Sequence, residues 1–146
     1  MSERLILGSL VVVSLPDLGV KRLVAKVDTG AFSGALHCTD IRVERHGKEA
    51  TLFFTPSGHP ELATSTTDFK EIIVRSANGH EAVRYLIPVK LEIHGGVYNT
   101  LIGLSDRTSM KRDMLLGRRF LLENNALVDV SLTKELDDEA ERLELL

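Results

Sequence analysis

The sequence predicts an all-β fold, a closed or nearly closed barrel with one short helix. Three observations carry that prediction. Short β-branched runs recur along the chain, turn-forming residues separate them at short intervals, and the longest regular pattern has period two. Two long alternating hairpins surrounded by short buried strands favour closure, because closure removes the open edges of a sheet.

Leu10 to Leu15 is a β-branched run closed by Pro16-Asp17, and Leu18-Gly19-Val20 leads into a strand ending at Asp28. Strands are expected at Arg42 to Gly47 and Lys48 to Phe54, with His46-Gly47 as the turn between them. Thr55 to Thr67 holds prolines, a glycine and several hydroxyl residues, and reads as loop. Phe69 to Arg75 is a strand, and Asn78-Gly79 is the strongest hairpin signal in the chain. Beyond it, Val83, Tyr85, Ile87, Val89, Leu91 and Ile93 alternate with other residues, and Pro88 on the opposite phase marks an edge or bulge. Gly95-Gly96 turns this segment into Val97 to Leu104, and Ser105 to Lys111 is polar loop. Met114-Leu115-Leu116 is a short buried strand, Arg119 to Asn125 the one helix candidate, and Ala126 to Val130 the closing strand.

A chain of 146 residues with 43% hydrophobic and 27% charged residues is expected to form one globular domain, 1–132, followed by an acidic tail, 133–146. The tail carries six acids and two bases from Lys134 on, with Leu136, Ala140 and Leu143 at helical spacing. The 133 residues before it hold 15 acids and 16 bases, so nothing suggests a nucleic-acid partner. There is no long apolar run for a membrane span and no recognisable signal peptide. The single Cys38 excludes an internal disulfide, and a cytoplasmic location is expected.

Most local chemistries find no support. His37, His46, His59, His80 and His94 are scattered, with no His-Glu-x-x-His and no Cys-x-x-Cys, so no metal site is proposed. Adjacent His37 and Cys38 face opposite sides of a strand and make a poor nucleophile–base pair. No glycine-rich phosphate loop is present, no cofactor is expected, and Ser33 lacks the first glycine of a nucleophile elbow. Aromatic residues make up 5% with no Trp, which disfavours a base-stacking surface.

What remains is Asp28-Thr29-Gly30-Ala31, where an apolar strand ends abruptly. Such a tetrapeptide is either an ordinary turn, with Gly supplying a positive φ, or an aspartic-protease loop. In the second case one Asp is not enough. The mechanism needs one ionised and one protonated carboxylate about 3 Å apart, with a water between them. A chain with one such loop must obtain the second from a symmetry mate, which a two-fold dimer with Asp28 on its axis would supply.

Asp28-Thr29-Gly30-Ala31 and, much later, Leu115-Leu116-Gly117-Arg118 together resemble the two signatures of retropepsins, the half-size dimeric aspartic proteases. A closer match adds Ala25-Lys26-Val27, Ala35-Leu36-His37, Gly79-His80-Glu81, Arg84-Tyr85, Arg107 with Met110, Met114 and Leu127-Val128-Asp129. In that order they resemble the bacterial and archaeal retropepsin-like family called "ATP-dependent zinc protease", whose members often accompany ATP-grasp ligases that add glutamate.

The resemblance implies a homodimeric acid-protease barrel acting on a protein or peptide. Asp28 would be catalytic, Thr29 would lock the loops across the axis, and Gly30 and Ala31 would present backbone to substrate. Ser33 and Arg118 would line the site, and Ser76-Ala77-Asn78-Gly79-His80 would be the tip of a closing flap. Arg84, Arg107, Arg118 and Arg119 would suit an acidic or glutamylated tail. Two departures stand out. Phe32 occupies a place where viral relatives carry the acid that pairs with the second-motif Arg, and Ser33-Gly34 replaces Thr-Ser. Two other functions fit the same residues: a non-catalytic barrel that binds peptides by strand addition, and a zinc hydrolase, as the family label implies.

Overall fold

The computed structural model describes residues 4–75 and 77–132, so the tail expected at 133–146 and Ser76 of the expected flap tip lie outside the described residues. The strands are β1 (Ile6–Leu7), β2 (Leu10–Leu15), β3 (Val20–Val27), β4 (Gly34–His46), β5 (Glu49–Pro56) and β6 (Thr64–Thr66). They continue with β7 (Lys70–Arg75), β8 (Glu81–Ile93), β9 (Gly96–Ser105) and β10 (Met114–Leu116). Helix α1 (Arg118–Glu123) and β11 (Leu127–Val128) complete the order. The fold is mostly β with one short helix, as the alternation predicts.

The pairings run β10-β3-β2-β8-β9-β4 and return from β4 to β10. The ring closes unevenly, where a closed or nearly closed barrel is expected. The β8–β9 ladder extends from Tyr85–Leu104 to Ile93–Gly96, whereas β2 meets β8 at the one pair Ser14–Glu92. Val13, Leu15, Leu36, Leu91, Ile102 and Met114 point into the ring and are buried. Strands β5 and β6 extend the sheet beyond β4, β7 adds to β8, and β1 pairs β11 in parallel outside the ring.

Hairpin β8–β9 shows how burial sets register. Ile87, Val89, Leu91 and Ile93 are buried while Pro88, Lys90 and Glu92 are exposed. With Ile93 committed inward, the turn falls on His94-Gly95, both at positive φ (50° and 80°), one residue before the expected Gly95-Gly96. Pro88 lies opposite Leu101, at a level of β8 beyond its last β7 partner, Leu86, and short of Glu92, which meets β2. It is thus a local edge, where a missing N–H is tolerated.

Other boundaries differ for physical reasons. Strand β4 begins at Gly34, eight residues before expectation, because Gly34–Cys38 is wedged between β9 and β10 and buried throughout. A strand covered on both faces shows no alternation to read. Its turn is Gly47-Lys48 instead of His46-Gly47, since His46 pairs with Glu49. The expected loop Thr55 to Thr67 holds a 3-10 turn, Pro60–Leu62, and β6, which pairs β5. The helix starts at Arg118, with Phe120 buried edge-to-face against Tyr98 at 6.3 Å. The closing strand shrinks to Leu127–Val128, matching a two-residue partner.

Candidate active site

Strand β10 lies between β3, to which it runs parallel, and β4, to which it runs antiparallel. The segment 28–33 that joins β3 to β4 must therefore pass around the C-terminal end of β10. Three main-chain bonds fasten it there. Asp28 N–H donates to the Leu116 carbonyl (2.8 Å), Arg118 N–H to Ala31 (2.8 Å) and Arg119 N–H to Phe32 (2.8 Å).

The approach is too close for side chains. A Cβ on Gly34 would stand 2.4 Å from the Leu115 carbonyl oxygen. One on Gly117 would stand 2.5 Å from that of Phe32 and 2.8 Å from that of Ala31. Gly117 in the second motif is thus a contact requirement of the first, and the two motifs that resemble retropepsin signatures form one unit.

Within the loop, Gly30 N–H donates to Asp28 Oδ1 at 2.9 Å and Ala31 N–H to the Asp28 carbonyl at 3.3 Å. The turn reading thus describes the local geometry and is compatible with the site reading. Gly30 itself is not at positive φ; its value is space, since a Cβ would come 3.1 Å from Asp28 Oδ1. Asp28 and Ala31 are half-buried, and Thr29 and Gly30 are exposed. One carboxylate oxygen is thereby fixed on a loop whose outer face is open.

Arg118 Nη1 donates to the Thr29 carbonyl (2.8 Å). The guanidinium carbons of Arg118 and Arg119 lie 5.8 and 5.0 Å from the centre of the Phe32 ring. The departure at Phe32 is answered in this way: Arg118 braces the loop through a carbonyl and an aromatic face. Arg119 Nε is buried and has no hydrogen-bond partner among the described residues. Ser33 is half-buried at the foot of the loop.

The expected flap residues lie at the end of the β7–β8 hairpin. Strands β7 and β8 pair from Arg75–Glu81 to Lys70–Leu86, while β9 leaves β8 after Tyr85–Leu104. Ile72–Arg75 and Glu81–Arg84 therefore form a two-stranded ribbon, and Asn78, Gly79 and His80 are exposed at its tip. At the ribbon base, a Cβ on Gly103 would meet Arg84 Cδ at 3.0 Å.

Arg84 belongs to a second group of charges that the topology brings to Asp28. Burial lowers the pKa of Arg107 first, Arg84 lowers it further, and Asp113 and Asp28 oppose both. Arg107 Nε donates to the Arg112 carbonyl at 2.9 Å, which fixes the guanidinium. By resemblance the sequence offers Arg84 and Arg107 as two of four arginines suited to an acidic tail, but nothing local in it marks their convergence. His37 makes a poor base for Cys38, but its Nδ1 accepts the Arg107 main-chain N–H at 2.8 Å.

Cys38 is buried, and burial pushes its thiol up to about 12, leaving it protonated and a poor nucleophile. Among the described residues no three His, Cys, Asp or Glu side chains gather as a metal site needs. No step below is routed through a metal. No helix of the described residues is long and apolar enough to cross a membrane.

Comparison with known proteins bears on the same loop. Residues 6–139 match the family model described as RimB-like, retropepsin-like aspartic endopeptidase RimB. A protein of Shewanella pealeana named probable alpha-L-glutamate ligase is 31% identical over 138 residues, 88% of this chain and 29% of that protein. Its namesake from Shewanella halifaxensis is 31% identical over 150 residues, 97% of this chain and 32% of its own length. The chain thus spans about a third of these relatives. The fold is shared with a Legionella pneumophila protein of unknown function, at TM-score 0.68 and 24% identity, over 90% of this chain and 97% of that one. The match across residues 6–139, which takes in the Asp28 loop and the Gly117-Arg118 motif packed against it, shows that the chain belongs to the RimB-like family of retropepsin-like aspartic endopeptidases.

Proposed function

We propose that the chain is an aspartic peptidase that works as a homodimer on acidic peptides. The observation that carries this reading is Asp28 itself. It stands where β3 ends, its N–H tied to β10 and one carboxylate oxygen tied to Gly30, on a loop open on its outer side. Two such loops facing across a two-fold axis would place two carboxylates on one water. One carboxylate, ionised, takes a proton from the water as it attacks the peptide carbonyl. The other, protonated, donates to the carbonyl oxygen. Exposed Thr29 lies next to Asp28 and would meet its counterpart at the axis. Gly30 and Ala31 would offer main-chain groups to an extended substrate, with Ser33 and Arg118 at the margin and the Asn78-Gly79-His80 tip closing over it.

The substrate class follows from the arginines. Arg84 and Arg107 repel one another, and Arg107 is also partly desolvated. A substrate carboxylate between them would relieve both costs and gain paired hydrogen bonds. Relatives named as glutamate ligases point the same way, since a chain of added glutamates is an acidic peptide that a partner hydrolase would trim.

Asp28→Asn tests the reading. Hydrolysis of a glutamate-rich peptide is expected to fall by about 10³-fold or more, with the fold intact by circular dichroism. Because each site would need both Asp28 residues, mixing variant into wild type should lower activity with the square of the wild-type fraction. A fully active variant, or a fall that merely follows dilution, would sink the shared site.

A further inference from the structure

His37 holds the 105–113 loop at two places. Its main-chain N–H donates to the Asp113 carbonyl (2.6 Å), and its side-chain Nδ1 accepts from Arg107 N–H (2.8 Å). A ring nitrogen that accepts carries no proton, so the neutral imidazole has its proton on Nε2, which faces Gly58. Arg107, held through its main chain by His37 and through Nε by the Arg112 carbonyl, is the cation that Asp28 attracts. Hydrogen bonds therefore link the His37 ring to Arg107, whose charge in turn is attracted by the carboxylate proposed to be catalytic.

The geometry points to His37 as a positioning residue: its unprotonated Nδ1 fixes Arg107 near Asp28, and a proton taken up there from solvent releases Arg107 and turns the ring to Asp106. The inference rests on the peptidase reading above.

Protonation would set two N–H donors against each other, and the bond to Arg107 could not persist. Asp106 is the waiting acceptor, with Oδ1 3.8 Å from Nδ1. Two hydrogen bonds from Thr108 hold its carboxyl below the usual range, and His37 adds a smaller pull, so it stays ionised in mild acid. The remaining charged groups around the ring are few. The loop brings Arg107 and Asp113, with Arg84 beyond Arg107. The turn after β5 brings exposed His59 beside Gly58. Strand β9 brings Ser105, and β10 brings apolar residues.

Two measurements test this. In the Asp28→Asn protein, where no turnover intervenes, proton–nitrogen NMR on addition of acid should show the Arg107 amide moving in step with protonation of the His37 ring. An Arg107 amide indifferent to His37 protonation would overturn the inference, whatever Asp28→Asn does to hydrolysis. Failure of the peptidase reading shows separately, as an active Asp28→Asn protein. In the Asp28-intact enzyme, His37→Leu removes the acceptor and should lower kcat/KM on a glutamate-rich peptide about tenfold, mainly through KM. His37→Asn supplies an amide oxygen that cannot be protonated, and should restore KM while removing the rise in KM on the acid side. An acid-side rise that survives in His37→Asn would also overturn the inference.

Discussion

The Asp28 loop and the β7–β8 ribbon are both connections at the rim of the same ring, and they are built in opposite ways. The loop is clamped by main-chain bonds to β10 and α1, at approaches that exclude even a methyl group at Gly34 and Gly117. The ribbon beyond Tyr85 has a single ladder, and its tip glycine, Gly79, has open space where a Cβ would go. Ile73 and Val83 sit opposite one another in that ladder and are 67% and 56% exposed. On the proposed reading, a carboxylate meeting a twin across an axis needs the first kind of support. On the same reading, a ribbon admitting and releasing a peptide needs the second, because parts that move are drawn from the weakly held end of a structure.

The comparison breaks first at Gly34. An added methyl would stand 2.4 Å from the Leu115 carbonyl oxygen, with Gly117 N at 3.5 Å, and both neighbours are backbone. Strands β4 and β10 would have to part, and the Asp28 clamp depends on β10. Gly34→Ala should cost about 3 kcal/mol or more, the upper end for overpacking, and abolish hydrolysis in whatever protein folds. Urea unfolding measures it. A loss below about 1 kcal/mol would mean that the crossing is looser than its contacts imply.

Alkali probes the same clamped side from behind, at Cys38 on β4. Its thiol is raised from 9.0 to about 12 by burial. The unfolded thiol ionises first, so between those two values the folded state binds more protons. The stabilisation is therefore full below pH 9, falls by up to about 1.4 kcal/mol per pH unit above it, and is gone near pH 12. Cys38→Ala should flatten that part of the stability–pH curve whatever its own packing cost. An unchanged slope would show that water reaches the thiol.

What could be read in the sequence divides along the same line. Asp28, Gly117 and Arg118 carry chemistry or shape in their own names, and the sequence singled all three out. Strand alternation located β8 because one face is wet; it missed the first residues of β4 because that stretch is buried on every side. Arg84, Arg107 and His37 meet through topology. The link from His37 to Arg107 spans 70 residues and ends on a main-chain N–H, which every residue but proline possesses. Such a donor leaves no mark in a sequence. Phe32 was legible as a departure, but its place beneath Arg118 and Arg119 required the fold.

The smallest expected effect belongs to the ribbon and is the most discriminating. Gly79 has φ +80 with nothing within 4 Å of a built Cβ, so Gly79→Ala adds backbone strain and no clash. That strain amounts to about 1 kcal/mol. Global stability should fall by less still, since the ribbon can open locally without unfolding the ring. If the tip closes over substrate, the variant should raise KM for a glutamate-rich peptide severalfold while thermal unfolding barely moves. The same substitution at Gly117, where a Cβ would strike the carbonyl oxygens of Phe32 and Ala31, should lower activity and thermal stability together. Equal behaviour of the two variants would erase the distinction between a clamped loop and an open ribbon. An unchanged KM in Gly79→Ala would remove Asn78, Gly79 and His80 from the site and leave the ribbon as an ordinary hairpin.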